Sequence, residues 1–242
     1  MNEISIVVPC ISSLDKFQDF IDELAMHLTT NPTDAEVIVV ANDKVRGTDR
    51  IVEYIQKQYP WLKFALLQRY GYTRKFGALA RLGIAYSSSH YVALIPSYPE
   101  NDIGIITKML NKIREGAQVV QAARFVSIDD AKSVPIKFRL YQAIYRFLTN
   151  LLLGFKISDS AYGFKMFDRI FIQALGLNQN GYSICPEITL KAALAGGRIE
   201  YVPSRVKFGA INRDFKLFNL EGISYFWLLI RGLAHRIGIL WF

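Results

Sequence analysis

The stretch "YVALIPSYPEND", residues 91–102, runs a strand-like apolar segment into Pro96, Ser97, Tyr98 and Pro99, and offers a ring, a hydroxyl and a phenol before any charge appears at Glu100. In an alternating α/β chain, the loop after such a strand is where a ligand sits. Glu100 and Asp102 could supply oxygen to a hard cation. They could equally be exposed acids opening the helix that follows, where negative charge suits the helix dipole. Lys44, Arg46, Arg69, Arg74 and Lys75 could neutralise an anionic ligand in place of a metal, or be ordinary solvated cations. Two distant cysteines, Cys10 and Cys185, and three histidines, His27, His90 and His235, give neither a disulfide framework nor a Cys/His zinc site. Walker A, the dinucleotide glycine fingerprint, H-E-x-x-H and G-x-S-x-G are all absent. Gly71, Gly77 and Gly83 read as a turn and close helix–sheet packing rather than a phosphate cradle.

The elements that must position these residues alternate through the first half. Ile4–Val8 is an apolar run closed by Pro9; Leu14, Phe17, Phe20, Ile21, Leu24 and Leu28 follow at helical spacing. "EVIVVA" at 36–41 precedes a helix carrying Ile51, Val52, Tyr54 and Ile55. "LKFALL" at 62–67 precedes the helix in "RKFGALARLGIAYSS". The strand that opens this section precedes a helix over 101–115, and "AQVVQAAR" at 117–124 is a fifth strand. Repeated β-then-α units of this kind predict a parallel sheet with helices on both faces, and runs without alternation fit strands buried on both sides. Ligand loops then fall at Pro9–Ser13, Ala41–Gly47 and Pro96–Asn101.

The second half is less regular. Residues 134–156 predict a long apolar helix carrying Lys137, Arg139, Arg146 and Lys156; "GRIEYVPSRVKF" predicts a strand interrupted by proline; the tail from 217 to 242 is dense in aromatic and aliphatic residues, with Arg231, His235 and Arg236 spaced through it. Both the long helix and the tail mix a large apolar load with cations, the pattern of elements lying in a membrane interface, and Trp227 and Trp241 suit that level. A hydrophobic dimer interface is the competing reading. A net charge of +8 over 242 residues favours an anionic partner, but no nucleic-acid motif accompanies it. The apolar run in "MNEISIVVPC" reads as a strand, not a signal peptide, and no window approaches a spanning helix. The expected location is cytoplasmic, peripheral on the cytosolic face of a membrane.

The order of "ISIVVPC", "VIVVANDKVRGTDR", "RKFGALARLGIAYSSSHYVALI", "VVQAAR", "ISDSAYGFKMFDR", "GYSICPEITLKAALAGGRIEYVP" and "RDFKLF" resembles family 2 glycosyltransferases, above all the polyprenyl-phosphate and dolichol-phosphate sugar synthases. The resemblance implies a GT-A fold over residues 1–216, a Rossmann-like mostly parallel sheet, with the amphipathic helical tail at 217–242 binding a membrane or partner. It implies a sugar moved from a nucleotide donor to a lipid phosphate. The donor loops depart from the family. Pro9 is followed by Cys10, Ile11, Ser12 and Ser13 rather than the usual Asn-Glu; Ala41 and Asn42 replace a pair of aspartates, with Asp43 one place late; Pro96 and Tyr98 flank Ser97 where the metal-binding Asp-x-Asp stands.

Proline has no side-chain oxygen and a neutral phenol is a poor ligand for a hard cation. The donor pocket expected from the resemblance comprises Pro9, Ala41, Asn42, Asp43, Arg74, Pro96, Ser97 and Tyr98, with no divalent metal and no other cofactor. The acceptor side appears in the resemblance as Arg124, Glu187, Arg213 and Lys216 at phosphate, with Asp159 as catalytic base. Asp159 also suits a turn, Glu187 the first turn of a helix, and Arg213 and Lys216 a solvated surface. A non-catalytic or metal-independent member follows, with a fully active enzyme using basic residues at the diphosphate, or an unrelated α/β binding module, as the alternatives. The expected partners are a membrane surface or lipid phosphate, a nucleotide sugar, and a second copy or an active glycosyltransferase.

Overall fold

A computed structural model describes residues 2–10, 14–42, 48–69, 75–98, 101–124, 136–154, 156–204 and 220–239. Strands β1 (Ile4–Pro9), β2 (Ala35–Asn42), β3 (Lys63–Arg69) and β4 (Tyr91–Leu94) alternate with helices α1 (Leu14–Thr30), α2 (Thr48–Gln58) and α3 (Phe76–Tyr86). Next come α4 (Ile106–Arg114), β5 (Val119–Ala123), α5 (Ile136–Leu153), β6 (Lys165–Asp168), α6 (Arg169–Ala174), α7 (Ile184–Leu194), β7 (Ile199–Pro203) and α8 (Leu220–Arg236). They build a seven-stranded sheet in the order β3-β2-β1-β4-β6-β5-β7. β6 runs antiparallel to both of its neighbours, and the other pairs are parallel.

Every residue of β1 is buried, as expected of a strand covered on both faces. Ile4, Ile6 and Val8 face a core shared with Phe17, Leu24, Ile106 and Met109 of α1 and α4. Val7 faces the opposite core with Phe76, Leu79, Ile188 and Ala192 of α3 and α7. Gly83 brings α3 down onto the sheet: a Cβ there would stand 2.3 Å from a Val7 methyl and 2.9 Å from one of Val40. No side chain fits in that space, so the glycine is required by packing.

The chain passes from β1 to β2 on one side and returns to β4 on the other, so the crevice at the carboxyl ends of β1 and β4 is the switch point where this architecture binds ligands. A third core joins Tyr141, Tyr145 and Leu153 of α5 to Leu190 of α7 and Tyr225, Leu228 and Leu229 of α8. The Tyr141 hydroxyl donates to the Gly222 carbonyl at 3.4 Å, and Arg236 Nη1 donates to the Leu152 carbonyl at 3.2 Å. Start meets start and end meets end, so α5 and α8 run side by side in the same direction.

Candidate functional site

The described residues of the loop after β4 are tied back onto the strand ends by neutral contacts. Pro96 and Ser97 are buried. The Ser97 hydroxyl donates to the Pro9 carbonyl at 3.0 Å, tying the ends of β4 and β1 together. The Pro96 carbonyl accepts from Tyr98 N at 2.7 Å and from Asn101 Nδ2 at 2.5 Å. Asn101 in turn accepts from the Tyr162 hydroxyl at 2.7 Å. The Pro96 ring lies over Gly163, where an added Cβ would meet Pro96 Cγ at 2.9 Å, Phe76 at 3.3 Å and Cys185 Sγ at 3.5 Å. Burial pushes the Cys10 thiol up to about 11, so it stays protonated at the end of β1. Ala41 is fully buried at the end of β2, followed by Asn42 as that strand's last residue.

The donor-side residues Pro9, Ala41, Asn42, Pro96, Ser97 and Tyr98 thus gather at the ends of three neighbouring strands. Asp43 and Arg74 lie outside the described residues, as do Arg213 and Lys216 from the acceptor side and the 216/217 boundary. Two aromatic rings complete this wall. Tyr182 stacks on Phe76, the first residue of α3, at 4.9 Å between centroids and 8° between planes. Its hydroxyl pairs with that of Tyr98 at 2.5 Å.

The other wall is built from charge. Arg124, just past β5, meets Asp159 through Nε at 2.8 Å and Nη2 at 2.9 Å. The same carboxylate accepts from Arg124 N at 3.2 Å, Ala161 N at 3.2 Å and Tyr162 N at 3.3 Å. The Arg124 guanidinium also lies 4.7 Å over the Tyr162 ring. Burial alone would raise the Asp159 carboxyl, but Arg124 more than offsets it and holds the group below its ordinary value. Asp159 is therefore a fully committed anion in this arrangement, turning the 158–163 loop and fixing Arg124. The turn role open to this residue in the sequence is realised here.

Glu187 is in the first turn of α7, yet its oxygens face a loop rather than solvent. They accept from Asn178 N at 2.9 Å and Gln179 N at 3.0 Å, and Lys191 pairs with it at 3.1 Å. The loop it holds delivers the Asn180 carbonyl to Ala78 N at the start of α3, at 3.0 Å. Gly77 allows this approach, since a Cβ there would stand 2.6 Å from the carbonyls of Gln179 and Gly181.

Sequence reasoning missed Tyr162, Lys165 and Tyr182, and reached Asn101 only as the end of the Pro96–Asn101 loop. Aromatic residues at such positions read as core, and only their hydroxyl partners distinguish them. Lys165 is fully buried on β6. It donates to the Ser160 carbonyl at 3.2 Å and to Thr189 Oγ1 at 3.0 Å, and desolvation brings it down to about 7. A lysine in "GFKMFD" gives no sign of burial in the sequence.

The family model for Glycosyl transferase family 2 matches residues 5–176. Similar solved structures include glucosyl-3-phosphoglycerate synthase from Mycobacterium tuberculosis in complex with Mn2+, uridine diphosphate and phosphoglyceric acid; it is 17% identical with a TM-score of 0.66, over 99% of this chain and 80% of that one. The same synthase with Mn2+, uridine diphosphate and glucosyl-3-phosphoglycerate is 16% identical with a TM-score of 0.64, over 99% and 81%. A mycobacterial protein is 15% identical with a TM-score of 0.67, over 99% and 76%. These likenesses establish the GT-A architecture that the sequence predicts.

They also correct one expectation. The sequence reading dispenses with a divalent cation, whereas the similarly folded glucosyl-3-phosphoglycerate synthase is seen in complex with Mn2+ and uridine diphosphate. The physical reason is that a donor diphosphate supplies ligand oxygens of its own, so the protein need add only one or two carboxylates. Loss of both Asp-x-Asp carboxylates, at Pro96 and Tyr98, therefore does not exclude an ion. Among the described residues no group of three or more His, Cys, Asp or Glu could hold a metal. They do not complete a ligand set by themselves.

Proposed function

From the premise that the chain belongs to glycosyl transferase family 2, we propose that it works on the cytosolic face of a membrane, binds a polyprenyl-type lipid phosphate there, and transfers no sugar on its own. The observation that carries this reading is the buried Pro96 loop, packed against Phe76, Gly163 and Cys185 where the family's diphosphate loop stands. A diphosphate needs donors and compensating charge. Among the described residues packed about Pro96, this wall offers a proline ring, a thiol and two phenols already paired with each other.

The membrane half of the proposal is supported by α5 and α8. Ile136, Leu140, Ile144, Phe147 and Leu151 recur at three- or four-residue spacing along α5 and are 45–71% exposed; Ile223, Trp227 and Ile230 do the same along α8 at 56–58%. Apolar side chains left in water at that density are stabilised by a bilayer interface. The residues of α5 include no Asp or Glu but do include Lys137, Arg139 and Arg146. Each cation near anionic lipid contributes about 1 kcal/mol. Among the described residues no helix is long and apolar enough to cross a membrane.

The reading is tested by co-sedimentation with phosphatidylcholine vesicles, with and without phosphatidylglycerol and polyprenyl phosphate. Binding should require anionic lipid, weaken with salt, and strengthen when polyprenyl phosphate is present. Equal binding to neutral vesicles, or self-association that buries Trp227 in place of vesicle binding, contradicts it.

A further inference from the structure

Tyr182 is held by several separate elements at once. Its ring lies on Phe76 of α3, its hydroxyl meets Tyr98 beyond β4, and its carbonyl accepts from the Tyr225 hydroxyl of α8 at 3.4 Å. Behind it, Glu187 fixes the amides of Asn178 and Gln179. The Tyr98–Tyr182 pair therefore joins the loop at the end of β4 to α3 and to the segment leading into α7, on the side of the sheet where the strands β1 and β4 end. A half-buried pair that is both stacked and hydrogen-bonded is an ordered contact between these elements.

We propose that Tyr98 and Tyr182 form an autoinhibitory clasp that keeps a nucleoside diphosphate out of the donor-side crevice. The inference rests on the reading that the donor side handles no diphosphate, and adds the contact that keeps one out. A ligand that needs the crevice must first break the clasp. Its apparent affinity is then reduced by the fraction of molecules in which the clasp is open. The clasp also reaches the membrane-facing helix pair, because Tyr225 belongs to α8 and shares a core with Tyr141 and Tyr145 of α5.

Calorimetric titration of the full chain with uridine diphosphate, Mn2+ present throughout, tests it. The variants are Tyr98→Phe, Tyr182→Phe, the double Phe variant and Tyr98→Ala. The Phe variants keep both rings and the Phe76 stack and remove only the hydroxyl bond. Each single Phe variant should gain about tenfold in affinity over the native chain, and the double variant should gain no more than either alone. Thermal melting checks that each variant folds; if changes at 182 unfold the chain, the Tyr98 variants decide. Folded variants that bind no better than a weakly binding or non-binding native chain overturn the clasp while leaving the reading without sugar transfer standing. A native chain that already binds tightly overturns that reading and the clasp together.

Discussion

The two walls of the strand-end crevice are held by opposite physics. Around Pro96 the contacts are apolar, aromatic and neutral: a proline ring over Gly163, a ring stack, and hydroxyl and carbonyl hydrogen bonds. Around Arg124 the contacts are ionic, with a carboxylate showing no exposed side-chain surface and a guanidinium showing 7%. Charge withdrawn from water persists only when it is paired and fully hydrogen-bonded, and Asp159 meets that condition with Arg124 and nearby backbone amides. The neutral wall needs no such compensation, because breaking one of its hydrogen bonds leaves no charge buried alone. The difference is that the wall around Pro96 can be altered one neutral contact at a time, whereas the Arg124–Asp159 wall cannot lose one partner without stranding the other.

The contrast breaks most sharply at the ion pair. Arg124→Ala leaves the Asp159 carboxylate buried without its partner and should cost about 3–5 kcal/mol of stability, seen as a large drop in the urea midpoint. A loss under about 1 kcal/mol, the size of a surface pair, would show that the charged wall is not structural. A pH response on the same side comes next. Lys165 binds fewer protons folded than unfolded between about 7 and its ordinary 10.5, so stability should rise with pH across that window and flatten below it. Lys165→Met should remove this slope in urea melts taken at a series of pH values, and an unchanged slope assigns it to other groups.

Where α3 packs on β1 and β2, Gly83→Ala forces a methyl against Val7 and Val40 and should cost about 1–3 kcal/mol by overpacking. A neutral result in thermal melting would mean that α3 can lift off the sheet. The smallest effect belongs to the neutral wall. Tyr98→Phe removes one hydroxyl hydrogen bond and should cost about 1 kcal/mol with no dependence on salt. A salt-sensitive loss would place charge where this account has none.

The sequence makes the first half of the fold readable because its strands are uninterrupted apolar runs closed by Pro9 or a turn, and its helices carry strong apolar spacing, as in Phe17, Phe20, Ile21 and Leu24. Only the boundaries move: the helix expected from 101 begins at Ile106 after a short 3-10 turn at Ile103–Ile105. β6 escapes sequence reading for a physical reason. It is four residues long with Lys165 and Asp168 at its ends, and its burial comes from the two strands beside it rather than from its own composition.

Site residues follow the same division. Pro96 and Tyr98 are legible because their side chains lack what the position usually needs. Asp159 and Glu187 are legible as acids but not as anions already spent on Arg124 and on the 178–179 loop, since partners 35 and 8–9 residues away leave no trace in local pattern. Tyr182 and Asn101 act through atoms that only the folded chain brings together.

The most direct measurement of the account's central claim is sugar transfer itself. The native chain, bound to phosphatidylglycerol vesicles containing polyprenyl phosphate, is supplied with UDP-glucose and Mn2+, and radiolabel in the lipid phase is counted. The account predicts lipid label no higher than in protein-free vesicles, even though the chain is on the membrane. Label accumulating with time and with protein concentration would contradict it, because a diphosphate donor would then be reacting in a crevice that Pro96, Tyr98 and Tyr182 are held to close.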